Sequence, residues 1–274
     1  MKEKTMEKTI GFIGSGNMGK AIIKGLLKTG FATADQIIAS RRNEAALEQL
    51  AQELGIRTTT HNPEVAKQAD ILFLAVKPNL YDAVIEEVRA NVPEETVVVN
   101  IAAGKSIASI EAAFGREVKV ARAMPNIPAL VGEGMVGLCF NELVSTKEQA
   151  EIAQLFASLG KVEIIPETLI SAVIGASGSS PAILYMVIEA MADGAVRAGM
   201  PRQQAYTFAA QAMLGSAKMV LETGEHPGKL KDDVCSPGGT TIEAVATAEA
   251  MGLRSAILAA VEASIEKSKN MEQA

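Results

Sequence analysis

Three short stretches of this chain carry residue types whose spacing could do chemistry. The first is Gly14, Gly16 and Gly19, a G-x-G-x-x-G set. A short apolar run, Thr9–Ile13, enters it, and Met18–Leu27 leaves it with helical apolar spacing. In a strand–turn–helix unit the first glycine permits the tight turn, the second lets the backbone approach a pyrophosphate, and the third lets the helix pack closely on the strand. Free N–H groups at a helix start, together with the helix dipole, favour phosphate oxygens. Gly14, Ser15, Gly16, Asn17 and Met18 are therefore candidate contacts to a dinucleotide. The second stretch is Ser40-Arg41-Arg42, at the end of the next strand. An Asp or Glu there, about 20 residues past the glycines, grips a free ribose 2′-OH. A hydroxyl and two guanidinium groups instead suit a 2′-phosphate, which Arg binds bidentately. NADP is expected over NAD. The third stretch is Ser236-Pro237-Gly238-Gly239-Thr240-Thr241, a loop of glycines and hydroxyls that opens a helix. That is the make-up of an anion site for a carboxylate or phosphate. Gly238, Gly239, Thr240 and Thr241 are the candidate contacts to such an anion.

The elements that must position these groups follow from periodicity. After the first unit, Gln36–Ala39 and Arg57–Thr59 read as short strands, with a helix at Asn43–Leu54 between them. Asn62 reads as the N-cap of a short helix with Pro63 at its first position, and it lies where it could touch the adenosine end of the cofactor. Asp70–Val76 is apolar on both faces, as a central parallel strand should be. It runs into Lys77-Pro78, where Pro78 stops the strand and restricts Lys77 to extended geometry. Thr96–Asn100 is another buried strand, followed by the small residues Ala102-Ala103-Gly104; Lys119–Ala123 ends in Met124-Pro125-Asn126. Ligands of open α/β sheets sit at the carboxyl ends of the strands. Ala75, Val76, Lys77 and Pro78, and Ala102, Ala103 and Gly104, thus join the cofactor candidates. Pro125-Asn126 suits either plain turn chemistry or pairing with a carboxamide, which has donor and acceptor groups to match Asn126. Gly134–Phe140 and Lys161–Ile165 add two strands around a helix at Thr146–Leu159. The expectation is a doubly wound, mainly parallel α/β sheet over residues 1–166, the NADP-binding domain. Past Pro166 no period-two pattern survives, and residues 167–274 read as an all-helical domain. Ala182–Ala198 is apolar on nearly every face, which predicts burial against a second subunit.

Composition bounds the partners. The chain has 274 residues and a net charge of −6, which argues against nucleic acid or an anionic membrane as partner. Cys139 and Cys235 are the only cysteines and His61 and His226 the only histidines; their spacing suits no metal site, so no metal is expected. Both thiols are expected as reduced, buried small hydrophobes of a cytosolic protein. Met1–Ile10 is charged and lacks a signal-peptide core, and no apolar run approaches the ~20 residues a membrane helix needs. A soluble, cytoplasmic protein is expected.

Taken together, Gly14–Gly19, Ala75-Val76-Lys77-Pro78, Ala102-Ala103-Gly104, Met124-Pro125-Asn126 and Cys235-Ser236-Pro237-Gly238-Gly239-Thr240-Thr241 resemble pyrroline-5-carboxylate reductases, in order and over nearly the whole chain. The resemblance implies an N-terminal Rossmann domain and a C-terminal helical domain that interlocks into homodimers, often stacked into decamers. It implies reduction of 1-pyrroline-5-carboxylate to L-proline with NADPH or NADH, the final step of proline synthesis. By position it implies Gly14–Met18 at the pyrophosphate and Ser40–Arg42 at the adenosine phosphate. Ala75–Pro78 and Ala102–Gly104 would line the nicotinamide riboside, with Pro125-Asn126 at the ring. Amides around Gly238–Thr241 would hold the substrate carboxylate, and the Thr241 hydroxyl would face the imine nitrogen, which makes Thr241 and Ser236 the candidate catalytic hydroxyls. The chain departs from the family's Gly-Ser-Gly-Pro-Ala-Tyr pattern at Ser180 and Ile183. No His, Lys or acid in the motifs is an obvious general acid, which suits an imine better than a ketone. A reductase of another cyclic imine or a hydroxy acid would differ around Ser236–Thr241, and a non-catalytic NADP-binding protein would not oxidise the cofactor.

Overall fold

The computed structural model describes residues 8–272. The charged stretch up to residue 7, read above as lacking a signal core, lies outside them. Two compact units emerge, Met1–Gly178 with Ser264–Ala274, and Ser179–Ala263.

The first unit alternates strands and helices. Its elements are β1 (Ile10–Ile13), α1 (Asn17–Thr29), β2 (Ile37–Ser40), α2 (Glu44–Leu54), β3 (Arg57–Thr59), α3 (Asn62–Gln68), β4 (Ile71–Leu74), α4 (Tyr81–Val88), β5 (Val97–Asn100), α5 (Ile107–Phe114) and β6 (Lys119–Met124). Then come β7 (Gly134–Phe140), α6 (Thr146–Ala157), β8 (Gly160–Ile164) and α7 (Ile170–Val173). They form one eight-stranded sheet in the order β3-β2-β1-β4-β5-β6-β7-β8. Every pairing is parallel except that of β6 with β7. Successive side chains of a strand face opposite sides, so a strand covered by helices on both faces must be apolar throughout. β1, β2 and β4 are buried at all their positions for this reason. Phe12, Phe73, Val97 and Val99 pack with Ile22, Ile23 and Leu26 of α1 and Phe156 of α6. Their strand neighbours Ile13, Leu72, Leu74 and Val98 pack with Val65 of α3, Val84 and Ile85 of α4 and Ile110 of α5. Phe12 and Phe73 stack at 4.6 Å between ring centroids.

The second unit is helical: α8 (Ser180–Arg197), α9 (Arg202–Thr223), α10 (Pro227–Val234), α11 (Thr240–Ala250) and most of α12 (Leu253–Glu272). Its buried residues in α8 and α9 are Pro181, Ala192, Ala205 and Ala209. The large apolar side chains lie outside: Met186 is 68% exposed, Phe208 66% and Leu221 61%. This inverts the pattern of a self-sufficient bundle.

Three sequence expectations change. The sequence predicts a break in the helical run at Ser177–Pro181, but a π-turn, Ile174–Gly178, carries it from α7 into α8. Glu167–Arg197 is consequently a helical stretch long and apolar enough to cross a membrane by length and composition, where the sequence predicts no such run. Cys139 is buried as expected, but Cys235, at the end of α10, is half-buried.

Candidate active site

The glycine-rich turn joins β1 to α1. Gly14 takes a φ of +91°, and a Cβ there would stand 2.6 Å from the Ala75 carbonyl oxygen, so only glycine fits. Its N–H donates to the Ser40 carbonyl, which ties the turn to the end of β2. A Cβ on Gly16 would meet open space. Gly16 is the N-cap of α1, no side chain caps that helix, and no acid occupies its first turn. The amides of Asn17 and Met18 therefore open a helix start with its positive dipole end free of a protein carboxylate. Gly19 lies against Ala75: a Cβ would come within 3.2 Å of the Ala75 Cβ.

Ser15 completes this turn with a hydroxyl that is buried and without a hydrogen-bond partner among the described residues. Buried hydroxyls are almost always paired. An orphaned donor beside uncapped helix amides fits a pyrophosphate oxygen.

At the end of β2, Ser40 is fully buried, and Arg41 and Arg42 are exposed. The Ser40 hydroxyl donates to Asn62 Oδ1 at 2.7 Å, and Asn62 Nδ2 donates to Glu87 at 2.8 Å. The expected capping role of Asn62 is corrected: His61 is the N-cap residue of α3, and Asn62 begins the helix. Its amide reaches across to β2 and accepts from the buried Ser40 hydroxyl, which also lies 3.4 Å from the Phe12 carbonyl oxygen. Both arginine side chains are without hydrogen-bond or ion-pair partners among the described residues, two cations free to meet a phosphate.

The next two loops follow β4 and β5. Ala75 donates to the Ile13 carbonyl, and Lys77 is extended and exposed before a turn that begins at Pro78. Asn100 organises the loop after β5: its Oδ1 accepts from Ala102 N at 2.9 Å and its Nδ2 donates to the Lys105 carbonyl at 2.6 Å. Tyr81, fully buried, donates its hydroxyl to the Leu74 carbonyl at 2.5 Å. Burial drives the Tyr81 phenol well above its ordinary pKa, so it stays a donor. Neither residue lies in the sequence motifs; a polar residue that ends an apolar strand is the one local signal for Asn100. Pro125 and Asn126, both buried, follow β6. Asn126 Nδ2 donates to Ser177 and its Oδ1 accepts from Met135 N at 2.9 Å, so its donor and acceptor groups clip the turn to β7 and to the π-turn.

In the helical unit, residues 236–241 lead into α11. Gly239 is the N-cap of α11 and donates its N–H to the Ser236 carbonyl. Gly238 takes a φ of +67°, a conformation that favours glycine, and a Cβ on Gly239 would stand 2.4 Å from Ser236 Oγ, which would have to turn away. No side chain caps α11. Ser236, Gly238 and Thr240 are exposed, with Thr241 and Gly239 half-buried. The loop offers amides and hydroxyls and no titratable side chain, which suits holding an anion and donating neutral hydrogen bonds.

These features define a Rossmann-type dinucleotide-binding fold followed by a helical unit. Residues 9–104 match the family model described as NADP oxidoreductase, coenzyme F420-dependent, and residues 167–271 match the model for pyrroline-5-carboxylate reductase dimerisation. The chain is 49% identical to the pyrroline-5-carboxylate reductase of Escherichia coli, over 98% of this chain and 100% of that one. It is 44% identical to that of Methanosarcina acetivorans, over 96% and 97%. It resembles the crystal structure of the Plasmodium falciparum pyrroline carboxylate reductase with NADP bound (TM-score 0.90, 28% identity, covering 98% and 100%). The Coxiella burnetii pyrroline-5-carboxylate reductase gives a TM-score of 0.90 at 32% identity, covering 97% and 99%. The chain belongs to the pyrroline-5-carboxylate reductase family.

Proposed function

We propose that this chain is an NADP(H)-dependent oxidoreductase that reduces 1-pyrroline-5-carboxylate to L-proline, the last step of proline biosynthesis. The observation that carries the reading is the presence, in one chain of this family, of a dinucleotide turn with an orphaned buried hydroxyl and an uncapped anion loop free of titratable groups.

When bound, a reduced nicotinamide supplies the hydride for the C=N bond. The chain's own residues bind and orient. Gly14, Ser15, Gly16, Asn17 and Met18 hold the pyrophosphate through amides and the Ser15 hydroxyl. Ser40, Arg41, Arg42 and Asn62 hold the adenosine end, the two arginines favouring a 2′-phosphate and hence NADPH over NADH. Residues 75–78 and 102–104 line the nicotinamide riboside. Pro125 and Asn126 shape the wall at the ring, Asn126 by clipping its turn. The amides of Gly238, Gly239, Thr240 and Thr241 hold the substrate carboxylate, which fixes the imine carbon for attack. Thr241 donates a hydrogen bond to the substrate nitrogen as it becomes an amine, with Ser236 as the second hydroxyl.

The substrate is a small molecule, and the chain assembles as a homo-oligomer: a dimer through the helical unit, extending to a decamer. The exposed apolar side chains of α8 and α9 support this, since such a surface needs a cover. Two free thiols support a cytoplasmic location, and the net charge of −6 supports a protein without nucleic-acid or membrane partners. The test is NADPH oxidation by the purified protein with pyrroline-5-carboxylate, repeated with NADH. Turnover that is faster with NADPH is expected. Protein that binds NADPH but turns over with neither cofactor would overturn the reading.

A further inference from the structure

Arg122, on β6, is the largest fully buried side chain of the described residues, and the catalytic reading gives it no task. A buried guanidinium needs a counter-charge, and one carboxylate suffices. Arg122 has two. Its Nη1 donates to Glu167 Oε1 at 2.8 Å and its Nη2 to Glu272, in the last turn of α12. Glu167 neutralises the arginine by itself and also accepts from the Ile107 amide at 2.8 Å, which fixes the start of α5. Glu272 is therefore surplus to charge balance, and its effect is to dock the chain's end on the dinucleotide unit.

The docked segment sits on the loop after β5. Next to Glu272, Met271 lies against Gly104: a Cβ there would come within 3.0 Å of the Met271 Cβ and 3.2 Å of its carbonyl oxygen. One turn earlier, the buried Ser268 hydroxyl is 3.1 Å from that of Ser171. Residues 102–107 are thus held by Asn100 at Ala102 and Lys105, by Glu167 at Ile107, and by Met271 at Gly104. Arg122 links the last two through its two carboxylate partners, beside the Ser171–Ser268 contact.

We infer that Arg122 is a positioning residue for the reaction: through Glu167 and Glu272 it holds the end of α12 and the start of α5 where they fix the 102–104 loop. This rests on the reading of that loop as the wall of the nicotinamide riboside. The last turn of α12 is then part of the cofactor site, acting through shape.

The test uses the full-length protein with Glu272→Asp, Glu272→Gln and Glu272→Lys. Glu272 is partly exposed, and all three side chains are hydrophilic, so the fold is expected to persist; circular dichroism and gel filtration check it. NADPH Kd is measured by fluorescence titration, with kcat and both KM values from steady state. Loss of a charged hydrogen-bond partner is expected to raise the NADPH Kd about tenfold in Glu272→Gln. Glu272→Lys, which sets like charges together, should raise it further, and Glu272→Asp should retain most of the affinity. KM for pyrroline-5-carboxylate should stay unchanged. An unchanged NADPH Kd in Glu272→Lys overturns the inference, as does a lowered melting temperature with Kd unmoved. A wild-type protein that binds NADPH without reducing the imine would refute the proposed reaction, while the graded Kd series would still decide the brace.

Discussion

Ser15→Ala separates binding from stability with opposite signs. Ser15 is 4% exposed and its hydroxyl has no partner among the described residues. A buried, unpaired polar group costs about 1–3 kcal/mol. Removing the hydroxyl relieves that cost, so the free protein should gain about 1 kcal/mol, a rise of roughly 2 °C in Tm for a chain of this size. The same hydroxyl is assigned to a phosphate oxygen, and a hydrogen bond to a charged group contributes about 1.5–3 kcal/mol. The NADPH Kd should therefore rise by about tenfold or more. At a cofactor concentration of about 100 times the wild-type Kd, ligand stabilisation should fall from about 2.7 to about 1.4 kcal/mol. The assay is thermal melting with and without NADPH, alongside direct titration. The crossing is the signature: the variant melts above wild type without NADPH and below it with NADPH. A variant destabilised without cofactor, or one with an unaltered Kd, would refute the reasoning.

Three further outcomes are expected. Arg41→Ala and Arg42→Ala should each weaken NADPH about tenfold and leave NADH unaffected, as read from the two cofactors' KM values. Thr241→Ala should lower kcat about a hundredfold while NADPH Kd stays constant; full turnover at saturating substrate would remove Thr241 from the mechanism. Burial pushes the Cys139 thiol from about 9 up to about 12. The folded state thus favours the protonated form, so its contribution is fully present below the unfolded pKa and is lost as pH rises from about 9 towards 12. Denaturant titrations across that window should show stability falling for wild type and falling less for Cys139→Ala.

Local pattern made much of this protein legible. β1, β2, β4 and β5 are short apolar runs because both sheet faces are covered, and a short strand that is apolar without alternation needs cover on both sides. The turn at Gly14 is equally local: the conformation and the collision with Ala75 lie within a single strand–turn–helix unit and its neighbour. Gly238 at a φ of +67° and the Gly239 N–H bond to the Ser236 carbonyl lie within one short loop, so the shape of residues 236–241 is also written in its own sequence.

Polar pairing was decided elsewhere. Asn62 looked like a cap, yet its amide bonds Ser40, 22 residues earlier. Asn126 spends its amide on Ser177, 51 residues on, and on Met135. Arg122 meets Glu272 across 150 residues, which returns the end of α12 to the unit that begins the chain. The antiparallel entry of β7, the exposure of Cys235 and the π-turn before α8 belong to the same class. Strand and helix identity comes from periods of two and 3.6 residues, which a sequence carries along its length. The partner of a buried donor or charge is whatever the packed sheet brings within about 3 Å, and only the assembled tertiary structure fixes that distance.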